Sequence, residues 1–200
     1  MKKITILAVF LLSFAAAPAR ADSYKFDKAH TTILFTINHM GFSEMVGIFR
    51  DYDGSFVFNQ THPEKSSVEV TIRPSGLETS SSALDKELQK SSWFNTENFP
   101  EMKFASTAVK VTGKNTADIT GDLTLLGVTK PVTLHVHFNK ADYQQITNNY
   151  VAGFYAEGVL KRSDFGMDYA ISMIGDKIHL QIWAEGINQE KKQPAIIRNH

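Results

Sequence analysis

Apolar and polar side chains alternate with a period of two in segment after segment of this chain, so each segment offers one face to a core and the other to water. Ile33, Phe35 and Ile37 alternate with Thr32, Thr36 and Asn38, and Val68, Val70 and Ile72 alternate with Ser67, Glu69, Thr71 and Arg73. Ile119, Leu123 and Leu125 alternate with Asp118, Thr120, Asp122 and Thr124 up to a turn at Gly127. Val132, Leu134, Val136 and Phe138 then return against Thr133, His135, His137 and Asn139, which reads as a hairpin. Residues 104–111 are less regular but include Phe104. Residues 150–162 place Phe154, Ala156, Gly158 and Leu160 on one face, and residues 177–189 do the same with Ile178, Leu180, Ile182 and Ala184. A long segment, 45–58, carries Gly47 and Gly54, where a strand is expected to bend. The count is eight strands. So many one-faced strands cannot all bury their faces in a flat sheet, and closing the sheet into an eight-stranded antiparallel barrel turns them inward together.

One stretch reads as helix, residues 82–91, between the third and fourth strands. Serines at its start can cap free amides, and Ala83, Leu84, Asp85, Lys86, Glu87 and Leu88 are mostly good helix formers. The chain from residue 190 onward is polar and is expected to be loose.

Before the strands lies a leader. Lys2 and Lys3 precede an apolar run over residues 4–17, and Ala19-Arg20-Ala21 supplies a small-x-small pattern, so cleavage is expected after Ala21, in an exported protein. The apolar run is shorter than the ~18 residues of a spanning helix, so no stable membrane anchor is expected. Residues 22–200 then form a single domain, with no cysteine and so no disulfide framework. The whole chain balances 21 basic against 21 acidic groups, and losing Lys2, Lys3 and Arg20 leaves it acidic, which argues against nucleic acid as a partner.

An eight-stranded barrel is about the smallest that either fills with side chains or holds one slender ligand. The inward set mixes bulky Phe35, Leu123, Leu134, Phe154 and Leu180 with small Gly121, Ala156, Gly158 and Ala184. Small residues leave volume for a ligand or for neighbouring side chains, and periodicity does not choose between the two. If the lumen holds a ligand, its wall is Ile33, Phe35, Ile37, Val68, Val70, Ile72, Phe104, Leu123, Leu125, Leu134, Val136, Phe154, Ala156, Gly158, Leu160, Ile178, Leu180 and Ile182.

Catalytic readings fare worse. His135 and His137 have the spacing of two metal ligands, but they oppose the apolar face and are expected to point outward. His30 and His39 flank a strand and read as parts of a polar network at a barrel end. Arg162 and Asp164 read as an ion pair at a strand end. No G-x-S-x-G elbow is present. Trp93, Phe94, Phe99, Met102, Phe165 and Met167 lie between strands, either as a second small core under the helix or, the preferred reading, as the lining of a cavity mouth.

Four blocks of this sequence resemble the YceI-like family of bacterial periplasmic proteins. They are Asp27-Lys-Ala-His30-Thr-Thr-Ile-Leu-Phe35-Thr-Ile-Asn-His39-Met-Gly41-Phe-Ser43 with Val46-Gly47-Ile-Phe49, and Trp93-Phe94-Asn-Thr-Glu-Asn-Phe99-Pro100-Glu-Met-Lys-Phe104-Ala-Ser106. The other two are Gly121-Asp-Leu-Thr-Leu-Leu-Gly127-Val-Thr-Lys130-Pro131-Val-Thr-Leu134 and Arg162-Ser-Asp164-Phe165-Gly166-Met167. The resemblance implies an extended, lipocalin-like barrel that binds polyisoprenoids or other long apolar chains. Many members carry R-D-x-H-L in the helix, whereas this chain has Leu84 and Glu87 at the arginine and histidine positions. The head group is therefore left open.

The reading that results is a periplasmic carrier that sequesters a long-chain isoprenoid or fatty acyl amphiphile, with no cofactor and no catalytic residue. At roughly 0.8 kcal/mol per methylene, about 15 buried carbons would contribute on the order of 12 kcal/mol before association costs. Movement of a loop or of the helix would gate release. The rivals are an enzyme acting on a lipid or isoprenoid quinone, and an envelope adaptor with a packed lumen.

Overall fold

The structure, a computed structural model, describes residues 21–192. Residues 1–20 of the expected leader lie outside the described residues. In chain order the strands are β1 (Asp22–Phe26), β2 (Thr32–His39), β3 (Ser43–Phe49), β4 (Tyr52–Phe58), β5 (Ser67–Ile72), β6 (Leu77–Glu78), β7 (Met102–Val111), β8 (Thr116–Leu125), β9 (Val128–Tyr143), β10 (Asn149–Lys161) and β11 (Ile174–Lys192). One helix, α1 (Ser82–Leu88), follows β6.

Eight of these strands close a ring of antiparallel ladders: β1, β4, β5, β7, β8, β9, β10 and β11, with β11 returning to β1. The barrel expected from the alternation is therefore present, although its membership differs. Closure is made by β1, where Tyr24, Lys25 and Phe26 face Asn188, Ile187 and Gly186. The first strand read from the sequence, β2, lies outside the ring. It pairs with the lower half of β11 and leads through β3 to β6 as a three-stranded extension.

Ring and extension meet at a corner held by backbone groups. The Glu185 carbonyl accepts from the Asp27 amide (2.8 Å) and from Thr31 Oγ1 (3.1 Å), while the Glu185 amide donates back to Thr31 Oγ1 (3.0 Å). Thr31 and Tyr52 are buried there, and the Tyr52 hydroxyl donates to the Thr31 carbonyl (3.2 Å). This satisfies the polar groups released where β1 gives way to β2. The long segment 45–58 breaks at the same level, at Arg50 and Asp51, rather than at its glycines. The Arg50 amide donates to Gly76 and the Arg73 amide to Asp51. Gly76 is needed for this approach, since a Cβ there would lie 2.5 Å from Asp51 Cβ.

The hairpin read at Gly127 joins β8 to β9 through Leu126 (φ 51°) and Gly127 (φ 75°), the left-handed pair of a tight two-residue turn. β11 continues to Lys192, so residues 190–192, expected to be loose, belong to a strand; Lys191 reaches Asp22 (2.5 Å) and lies over the Tyr150 ring. No serine side chain caps α1. Asp85 ties the helix down instead, accepting from the amide (2.7 Å) and hydroxyl (2.6 Å) of Thr79.

Candidate functional site

The barrel interior divides into two zones. The zone beside α1 is solid: Phe35, Ile37, Phe49, Leu77, Leu88, Trp93, Phe94, Met102, Leu125, Val132, Phe165 and Met167 are all buried in one cluster. The opposite zone encloses a cavity of about 330 Å³.

One side of that cavity is an aromatic wall. Phe56, Phe58, Phe138 and Phe154 come from β4, β9 and β10, with ring centroids 5.0–5.5 Å apart and mostly tilted or edge-on. These are the favourable arrangements for aromatic pairs. Phe26 and Tyr52 extend the wall toward the corner, while Val109, Ile119 and Ala184 complete it elsewhere.

Of the wall expected from the sequence, Ile33, Val68, Val70, Phe104, Leu134, Val136, Phe154, Ala156 and Ile182 line the cavity. The rest lie outside its lining: Phe35, Ile37, Ile72 and Leu125 are buried in the solid zone, and Leu123, Leu160, Ile178 and Leu180 pack against it. Gly158 leaves no vacant space, because a Cβ there would sit 2.8 Å from Leu134 Cδ2 and 3.1 Å from the Thr133 carbonyl oxygen. Gly121 is occupied likewise, by the Phe104 ring. Of the four small residues read as inward from the sequence, Ala156 and Ala184 border the cavity. Phe56 and Phe58 are hidden when 45–58 is taken as one segment. Taken by itself, Tyr52-Gly54-Phe56-Phe58 has the period of two that marks an inward face.

The cavity reaches the surface between the β4–β5 and β7–β8 connections. Its lining there changes to Gln60, Ser66, Ser67, Lys114, Asn115 and Thr116. The wall is open at this point because the β5–β7 ladder ends at Glu69 and Ala105, and beyond it the Ser106 hydroxyl stands in for a carbonyl, accepting from the Val68 amide (2.9 Å). Val109 and Val111 continue past the ladder, and Val111, although it lines the cavity, is 46% exposed.

The mouth is thus not where the sequence reading put it. Trp93, Phe94, Met102, Phe165 and Met167 are buried in the solid zone, and half-buried Phe99 packs on Gly127; together they close the other end under α1. Leu84 packs against that core and Glu87 pairs with Lys90, so neither position of the altered helix pattern lines the cavity.

Arg162 does not pair with Asp164. It is 1% exposed and donates from Nε to Gly175, from Nη1 to Met167 and from Nη2 to Ile174, all carbonyls, at 2.8–3.0 Å. Burial pulls its pKa below the ordinary arginine value, against the opposing pull of Asp176 and Asp168. Asp164 is exposed, and the acid used here is Asp176, which accepts from the Ser163 amide and hydroxyl. Burial alone would raise the Asp176 pKa, but those two hydrogen bonds with Lys161 and Arg162 hold it below the usual carboxylate value.

His135 and His137 stand outside the cavity lining. His135 is exposed with Nδ1 2.6 Å from the Asp118 carboxylate, and His137 faces Asn139 at 3.0 Å. His30 bonds Asp27 (2.8 Å) within the β1–β2 turn. With Glu185 these two form the one group of His and acid ligand atoms within 4.8 Å among the described residues.

A family model described as YceI-like domain matches residues 24–185. Protein YceI of Escherichia coli O17:K52:H18 is 39% identical over 194 residues, covering 95% of this chain and 100% of that protein. Among solved structures, Burkholderia cenocepacia BcnA superposes with a TM-score of 0.73 at 20% identity, over 80% of this chain and 98% of that one. A polyisoprenoid binding domain from Saccharophagus degradans, implicated in plant cell wall breakdown, gives 0.61 at 10% identity, over 84% and 99%. At these identities the two structures establish the shared fold.

Proposed function

Because the chain belongs to the YceI-like family, we propose that it sequesters and carries an amphiphile with a slender apolar chain, held in the barrel cavity. The observation that carries this reading is the cavity itself: an aromatic and aliphatic chamber, closed under α1 and open at the other end. The likeness to a polyisoprenoid binding domain supports an isoprenoid chain, and a fatty acyl chain fits the same walls.

The volume limits the buried length. At roughly 30 Å³ per water-sized group, the chamber of about 330 Å³ holds about eleven methylene-sized groups. At about 0.8 kcal/mol each these supply on the order of 9 kcal/mol before association costs, which is enough for retention without bond making. A longer chain would extend through the mouth.

The test is native mass spectrometry of purified protein, followed by organic extraction. A stoichiometric isoprenoid or acyl lipid is expected, and protein that never carries or takes up such a lipid would refute the proposal. The setting we propose is the periplasm, after cleavage behind Ala21. Amino-terminal sequencing of protein from fractionated cells should read Asp22-Ser-Tyr-Lys, and a start at Met1 in the membrane fraction would count against it.

A further inference from the structure

Among the described residues, every charged group but one is kept out of the cavity lining. Among its residues there is no aspartate, glutamate, arginine or histidine; the exception is Lys114, in the β7–β8 connection at the mouth. Among the described residues Lys114 makes no ion pair and no side-chain hydrogen bond. The acid in the facing β4–β5 connection, Glu64, lies 3.4 Å from His62 Nδ1. Around Lys114 stand Gln60, Ser66, Ser67 and Asn115, which offer uncharged donors at the same level. A cation without a counter-ion at the rim of an apolar chamber is complementary to an anion at the end of an apolar chain.

We propose that the ligand is a single-chain amphiphile with an anionic head, a carboxylate or phosphate, held at the mouth by Lys114 while the chain runs inward past Val109 and Phe104. This rests on the carrier reading and adds the head group to it. The polar rim fixes orientation, so the chain enters tail first and the head stays in water. Lys114 is exposed, so its pull is that of a surface charge: modest, and weakened by salt.

Two matched pairs of probes test the inference on delipidated protein: dodecanoate against dodecanol, and farnesyl phosphate against farnesol, by calorimetric titration at low salt. Each anion is expected to bind about fivefold more tightly than its alcohol, and the preference should shrink in 0.5 M salt. Lys114→Gln should reduce the ratio to about one, and Lys114→Glu should reverse it, with affinity for both alcohols unchanged. Equal binding of acid and alcohol would overturn the anionic head, and a preference that survives Lys114→Gln would overturn its capture by Lys114, in both cases leaving the carrier reading intact. Failure of all four probes to bind would overturn the carrier reading itself. The acyl and prenyl arms separate the two sources of such an anion.

Discussion

Gly121 and Ala156 both face the barrel interior, yet an added side chain meets different surroundings at each. At Gly121 a methyl would run into the Phe104 ring and come within 2.6 Å of the Ala105 carbonyl oxygen, so Gly121→Ala should cost about 1–3 kcal/mol. At Ala156 there is open chamber, and Ala156→Phe should lower co-purifying lipid several-fold while changing stability by no more than about 1 kcal/mol. Extracted lipid and the urea midpoint of both variants check this pair, and a large stability loss in Ala156→Phe would mean the chamber is packed. Arg162 gives the opposite case. Its fork satisfies three carbonyls that no other side chain among the described residues reaches, so Arg162→Met should cost about 3 kcal/mol, and Arg162→Lys should recover little of it because one ammonium cannot span the three. His30 sets a pH dependence. Its hydrogen bond and charge contact with Asp27 raise its pKa above 6.5, so its contribution is fully present below pH 6.5 and is lost as pH rises through the raised folded value. Ring proton shifts of His30 against pH, with the stability difference between the protein and His30→Gln, report this; a difference that grows with pH would contradict it.

At the level of elements, alternation showed β5, β8, β9, β10 and β11 because each presents one apolar face and is paired on both sides. It did not show β1, since Tyr24 and Phe26 are too few to establish a period, and what makes β1 a strand is the partner edges of β4 and β11. The cavity was half legible for a related reason. A period of two places Phe35 and Phe154 on the same inward face but carries no information about height along the barrel, and height decides that one is core and the other wall. The helix was legible and its role was not. Asp85 anchors α1 to Thr79 over the solid zone, so the helix plugs the closed end rather than gating the mouth. Asp85→Ala should cost about 1–2 kcal/mol and speed exchange of the Thr79 amide, while lipid affinity changes less than twofold. A large loss of affinity would return the helix to the mouth.

For the whole molecule, ligand and stability are linked. Protein stripped of lipid should unfold earlier than loaded protein, and saturation at about 100 times Kd should add about 2.7 kcal/mol. Coincident melting curves of stripped and loaded protein would show that the chamber binds nothing. The corner at Glu185 has a different consequence. There β11 changes partner, from β2 below to β1 above, so the last strand in chain order holds the first two. Until β11 is available the strands β1 to β10 have no means of closing: their pairings give two separate sheets, one edged by β1 and β10 and the other by β2 and β6. The decisive contacts span almost the entire sequence, which makes folding slow and leaves strand edges open to mispairing in the interval. The growing chain is therefore a natural client for chaperones that hold polypeptides extended until synthesis is complete.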